Sequence, residues 1–212
     1  SAVLQLPTQN TQPDIMGKRL SFVVSVALKV ALQALAKEQE TTLFTVLLSC
    51  FNILLHRYSG QNDFNVGTPI SGRYDESLES VVGCFINTLV IRSQCDLAEG
   101  FTEYLHKVHN TLLNAHQYRD VPFEDIVDRL DVTRDVFTTP LFQVMMTLQN
   151  APFSTKTNAA LDIQPIHQFS PTPKYQLTLE LWENHLGLQG VVEYQANRFD
   201  ADFIEQMVEN FL

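Results

Sequence analysis

The stretch Val82-Gly83-Cys84-Phe85-Ile86-Asn87-Thr88-Leu89-Val90-Ile91-Arg92 decides how the rest of the chain is read. From Phe85 to Arg92 it has the composition of a β-strand, rich in β-branched and aromatic residues and free of proline. Asn87 falls in the middle of that strand, where an amide is unfavourable unless it is hydrogen-bonded. Gly83, just ahead of the strand, permits close approach to the backbone. Three other segments carry comparable detail: Val66-Gly67-Thr68-Pro69-Ile70-Ser71-Gly72-Arg73, Tyr118-Arg119-Asp120-Val121-Pro122-Phe123-Glu124, and Arg134-Asp135-Val136-Phe137-Thr138-Thr139-Pro140-Leu141.

Working outward, residues 1 to 18 carry Pro7 and Pro13, show no amphipathic period, and read as an extended arm. Arg19 to Val24 reads as a strand. Ser25 is placed to cap a helix bearing Leu28, Leu32, Leu35 and Ala36 on one side. Thr41 or Thr42 opens a second helix through Leu43, Leu47, Leu48, Phe51, Leu54 and Leu55, and Gly60 ends it. Asp63 to Ile70 is a strand. Phe101, Leu105, Val108 and Leu112 recur at helical spacing and mark a long amphipathic helix. Pro122 starts a short helix with Asp120 as its N-cap. Leu141 to Leu148 is a further strand, and Tyr175–Trp182 with Leu186–Tyr194 forms a hairpin around Glu183-Asn184-His185. Phe203, Met207 and Phe211 give a closing helix its apolar face. The predicted class is α/β, with helices covering a sheet.

Composition narrows the functions. Among 212 residues, 45% are hydrophobic and 18% charged, the balance of a globular chain. A formal charge of −10 offers no footprint for nucleic acid and requires a local basic or apolar patch for any acidic partner. The longest apolar run, Leu43 to Leu55, is too short to span a bilayer, and the expected location is cytoplasmic. Cys50, Cys84 and Cys95 have no ligand spacing and read as buried, reduced thiols. No metal site is expected: His106 and His109 could share a helix face, but no acidic or thiol partner completes a ligand set, and both read as solvated helix histidines.

Two resemblances to chemical motifs fail on inspection. Gly67 to Tyr74 has glycines five apart, as in a phosphate-binding loop, but Arg73 and Tyr74 replace the Lys and hydroxyl residue. Pro69 also removes one N–H from the cradle. His116-Gln117-Tyr118-Arg119-Asp120 separates His and Asp by four, without a second histidine or a following glycine. No Gly-x-Ser-x-Gly nucleophile turn is present. Trp182 is expected to cap the hairpin core.

The four segments, in this order and spacing, resemble the condensation domains of nonribosomal peptide synthetases, in the chloramphenicol-acetyltransferase superfamily, from Leu6 to Leu212. The resemblance implies a chloramphenicol-acetyltransferase-like lobe with a mixed sheet covered by helices. The family signature, two adjacent histidines followed after three residues by Asp-Gly, belongs to the N-terminal half of such domains, and this chain has no His-His pair. The chain therefore reads as the C-terminal lobe (residues 19–212) behind an inter-lobe arm (1–18), without the catalytic histidine. Its implied activity is amide-bond formation between acyl or aminoacyl thioesters held on carrier proteins. The alternative is a non-catalytic module of the same fold that docks a carrier.

Site roles follow from the same resemblance. Asn87 and Gly83 would face a substrate tunnel, with the Asn87 amide orienting a thioester carbonyl or a pantetheine amide; the other reading of Asn87 is a satisfied core amide. Arg73 would pair with the aspartate of the missing signature and brace the two lobes, against the alternative of a solvated loop arginine. Asp120, Pro122, Phe123 and Glu124, with Arg134 and Asp135, would be architectural; Tyr118-Arg119 departs from the His-Gln usual ahead of Asp120. No cofactor is bound directly, and the phosphopantetheine arms of donor and acceptor carrier proteins arrive as substrates. Further expected partners are the N-terminal lobe, to which a latch-like crossover at 151–173 would reach, and, with that lobe absent, a second copy of the chain unless the arm is then poorly ordered.

Overall fold

The structure, a computed structural model, describes residues 2–8, 16–73, 75–96, 98–130, 139–149, 172–184 and 187–212. Arg134, Asp135 and nearly all of the 151–173 crossover lie outside these residues.

Local chemistry sets most element ends. Helix α1 (Val26–Glu38) follows strand β1 (Gly17–Ser25), and the Ser25 hydroxyl accepts from Leu28 N–H. Helix α2 (Leu43–Ser59) starts at Thr42, whose hydroxyl accepts from Thr45 N–H at 3.1 Å, and stops at Gly60 in the left-handed conformation with φ 69°. Thr42→Ala should lower stability by about 1 kcal/mol, because it strips a helix-start donor of its acceptor; chemical denaturation measures the loss.

After α2 come β2 (Asp63–Ser71), a 3₁₀ turn at Glu76–Leu78, β3 (Ile86–Gln94), α3 (Phe101–Gln117), α4 (Phe123–Arg129), β4 (Val144–Gln149), the hairpin β5 (Leu177–Asn184) and β6 (Gly187–Gln195), and α5 (Ala201–Phe211). The six strands form one sheet in the order β1-β6-β5-β4-β2-β3. β2, β4 and β5 run parallel, while β3 and β6 pair antiparallel with β2 and β5. The sheet is mixed, as the resemblance implied.

Alternation along the strands separates its faces. Val66, Leu89, Ile91, Val144, Met146, Leu177, Leu179 and Leu181 enter the main core, with Leu47, Phe51 and Leu55 from α2, Tyr104, Val108 and Leu112 from α3, and Ile204, Met207 and Val208 from α5. Met145 points the other way and joins Phe142 and Tyr175 in a smaller cluster with Val90, Leu141 and Phe123. The side chain of Leu89 thus belongs to the α3 face, and that of Val90 to the α4 face. Between α3 and α4 the chain wraps around edge strand β3 from one face of the sheet to the other.

Four sequence expectations are corrected. The strand expected from Leu141 begins at Val144, because Leu141 has φ 72° and Phe142 N–H donates to Pro140 C=O at 3.0 Å, a γ-turn. Asp120 does not cap α4: Pro122, at φ −58° and ψ 142°, occupies the cap position, and Asp120 is exposed in the preceding turn. Cys84 is exposed in the loop before β3 and Cys50 is half-buried, so only Cys95 is a buried thiol. His109 is half-buried rather than solvated, and its Nδ1 is hydrogen-bonded to Thr41 Oγ1 at 2.9 Å in the α1–α2 turn, whereas His106 is exposed, as expected, with Nε2 3.2 Å from Gln39 Oε1. No helix among the described residues is long and apolar enough to cross a membrane.

Candidate functional site

A cleft of about 870 Å³ opens at the C-terminal ends of the parallel strands β2, β4 and β5. Open α/β sheets characteristically place ligand sites at that end of their strands. Its floor comes from Thr68, Ile70, Thr147 and Gln149; its walls come from Trp182, the first residues of α2, and His116 at the end of α3. Trp182 therefore lines the cleft, where the sequence placed it as a cap of the hairpin core. Glu183, also on the rim, forms an ion pair with Lys29 of α1. The lining combines apolar walls with a few hydroxyl, amide and imidazole groups, the usual character of a small-molecule site. Among the described residues no cluster of His, Cys, Asp and Glu is suited to a metal ion.

Among the described residues, four groups whose pKa is raised by burial, Tyr104, Cys50, Glu193 and Tyr194, sit elsewhere. Burial pushes the Tyr104 phenol well above its usual range, helped by the Cys95 thiol at 3.0 Å, and burial raises the Cys50 thiol. Tyr104 is on α3 and Cys50 on α2, and neither lines the cleft.

Of the residues singled out from the sequence, Arg73, Gly83, Asn87, Asp120, Pro122, Phe123 and Glu124 are not part of the cleft lining, and Arg134 and Asp135 lie outside the described residues. Arg73, just past β2, donates to the carbonyls of Leu78 and Gly83, the latter at 3.2 Å, and its guanidinium covers the Phe85 ring at 4.3 Å from the centroid. It ties together the loop between β2 and β3. Gly72 N–H donates to Phe85 C=O at 2.5 Å, and a Cβ on Gly72 would stand 2.4 Å from that oxygen. Gly72 is thus the glycine whose missing side chain this loop requires. A Cβ on Gly83 would meet the Phe85 ring at 3.1 Å, a tight but softer contact.

Asn87 faces the α3–α4 turn. Its Nδ2 donates to Arg119 C=O and Val121 C=O, both at 2.8 Å, and its Oδ1 accepts from Thr88 N–H at 2.8 Å and Phe123 N–H at 3.2 Å. A side-chain amide has two donor hydrogens and two acceptor lone pairs. All four are engaged with backbone. Phe123 turns inward against Phe142 at 5.7 Å, whereas Glu124 is exposed in the first turn of α4, where a carboxylate favours the helix dipole.

Sequence reasoning missed the cleft itself, whose lining comes from α1, α2, α3 and four strands. It also missed the contact of Gly67 with Phe142, although a glycine inside a strand is a known sign of close approach. Asn65 was missed as well; its Nδ2 donates to Leu141 C=O at 2.9 Å and holds the γ-turn.

Comparison with known proteins agrees with this architecture. The condensation domain family matches residues 1–212. Gramicidin S synthase 2 of Brevibacillus brevis is 38% identical over 213 residues, covering 99% of this chain and 5% of that protein. Bacitracin synthase 3 of Bacillus licheniformis is 34% identical, covering 99% of this chain and 3% of that protein. The chain thus spans only a small part of the length of these synthetases. Among solved structures, a four-domain nonribosomal peptide synthetase bound to AMP and glycine superposes with a TM-score of 0.84 at 28% identity, over 96% of this chain and 17% of that one. The X-domain from teicoplanin biosynthesis shares the fold, with a TM-score of 0.87 at 20% identity over 100% of this chain and 49% of that one. With a family match from end to end, the chain belongs to the condensation-domain family.

Proposed function

We propose that this chain is the C-terminal half of a condensation domain that forms an amide bond between two carrier-bound thioesters in nonribosomal peptide synthesis. The observation that carries the reading is coverage: the whole chain overlays 49% of a solved domain of the same fold, and it contains no His-His pair. In this reading residues 1–18 are the inter-lobe arm, 19–212 the lobe, and 151–173 a crossover to the N-terminal half.

The chemistry requires little from side chains here. The acceptor's amine nitrogen attacks the donor thioester carbonyl, the C–S bond breaks, and the donor phosphopantetheine leaves as a thiol. A thioester is already activated, so holding the two arms in line supplies much of the rate. The amine's proton passes to a histidine of the other half and from there to the departing sulfur. The cleft supplies one wall for the substrates, with Ile70, Leu89 and Trp182 against apolar portions and Thr68 and Gln149 available to amides. Arg73, next to it, braces the floor loop and faces the other half.

The test uses donor and acceptor carriers loaded with amino acids, with peptide detected by mass spectrometry. The expected result is no product above the uncatalysed rate with this chain alone, and product with the intact parent protein. Turnover by the chain alone would place the chemistry on its own residues. Absence of product from the intact parent would favour a module that only docks carriers.

A further inference from the structure

We propose that Asn87 is a positioning residue, the staple that holds the chain where it wraps around the edge of the sheet, and that its amide does not contact substrate. Its consequence for catalysis rests on the function proposed above; the staple itself rests only on the geometry.

Three observations converge on it. First, the amide has no hydrogen-bonding capacity left, since both donors and both lone pairs meet backbone groups. A substrate could reach Asn87 only by displacing a structural bond. Second, the partners lie on separate elements. Thr88 is in β3, and Arg119, Val121 and Phe123 span the turn between α3 and α4. Third, the start of α4 lacks a cap of its own. Pro122 at the cap position makes no side-chain hydrogen bond to the helix, so the donor of Phe123 depends on Asn87 from 36 residues away. The first N–H groups of a helix have no partner within the helix.

The staple joins three parts of the site. On β3, Leu89 is two residues further along and lines the cleft. On α3, His116, which also lines the cleft, is one turn before the stapled carbonyls. Beyond the turn, Phe123 is seated against Phe142. Releasing Asn87 would loosen the wrap, and with it the His116 wall and the start of α4.

Hydrogen exchange on the full parent protein tests the staple without requiring activity. In the unsubstituted protein the Phe123 amide should be protected despite its place at a helix start, and should open together with Thr88 under mild denaturant. Exposure of Phe123 at the rate of a free helix end would overturn the proposal. Asn87→Ala should speed exchange at both amides on the order of tenfold or more, as expected for losing several net-stabilising hydrogen bonds. Asn87→Asp separates the donors from the acceptor, because it keeps an oxygen for Phe123 but sets a carboxylate against the Arg119 and Val121 carbonyls. The staple requires Asp to behave as badly as Ala, and rescue by Asp would overturn it. Should either variant fail to fold, the measurement on the unsubstituted protein still decides. In steady-state condensation, Asn87→Ala should lower kcat and leave KM for both carriers within about twofold, since groups that act through others spare ground-state binding. A raised KM with unchanged protection at Phe123 would instead identify a substrate contact. An unsubstituted parent that makes no peptide would refute the proposed function and leave the staple to the exchange data.

Discussion

Phe142→Ala should destabilise the domain by about 3–5 kcal/mol, the range for removing a fully buried phenylalanine. Phe142 has no exposed surface. Its ring meets Phe123 at 5.7 Å and Tyr175 at 5.3 Å, and it fills the space over Gly67, where a Cβ would stand 2.3 Å from the nearest ring carbon. That space cannot close easily. The backbone at Gly67 is held between Val90 of β3 and Met145 of β4, and Leu141 is held by its γ-turn. For a chain of this size the loss corresponds to a fall in Tm on the order of 10 °C. Thermal unfolding followed by circular dichroism checks it, and a fall of less than about 2 °C would show that the small cluster contributes little to stability.

Arg73→Ala should produce the other large effect, and its size should depend on whether the second half of the domain is present. Within this chain, two hydrogen bonds from a charged donor and the contact with Phe85 are lost. On a half-exposed loop these amount to about 2 kcal/mol, the lower part of the range for charged donors. If Arg73 also pairs with a buried aspartate of the other half, removing it strands that charge and raises the loss to about 3–5 kcal/mol, with loss of condensation. Denaturation of the chain alone and of the intact parent separates the two contributions. Equal losses in both would confine Arg73 to the floor loop. Arg73→Lys should recover little, because a single ammonium cannot span two carbonyls while lying flat on a ring.

The two variants differ in how far they could be read in advance. Arg73 stood out in the sequence because it closes a segment that resembles one of the condensation family's. Phe142 did not. Its burial depends on Gly67, far earlier in the chain, and on the γ-turn at Leu141, which directs the ring across β2. Likewise, Asp120 ahead of Pro122 has the local pattern of a helix cap, yet Asn87 supplies the oxygen that Phe123 uses. Local capping preferences are worth about 1 kcal/mol. A side chain delivered from another element with four hydrogen bonds outweighs them.

By itself, the sequence determined most of the elements and some of their ends: helical periods from Leu43 to Leu55 and from Phe101 to Leu112, the start of α2 at Thr41 or Thr42 and its end at Gly60, the β5–β6 hairpin, and a family resemblance carried by ordered segments. These are decided by side-chain periodicity and by hydrogen bonds spanning three or four residues, so neighbours along the chain suffice to reveal them. Only the tertiary structure decided the order β1-β6-β5-β4-β2-β3, the cleft at the ends of β2, β4 and β5, the wrap of the chain around β3, and the hydrogen-bond partners of Asn87. Each of those depends on which distant groups come within about 3 Å of each other. An amide reads the same in sequence whether it faces a substrate or the backbone, and its partners become identifiable only when the fold has brought residues 87 and 119–123 together.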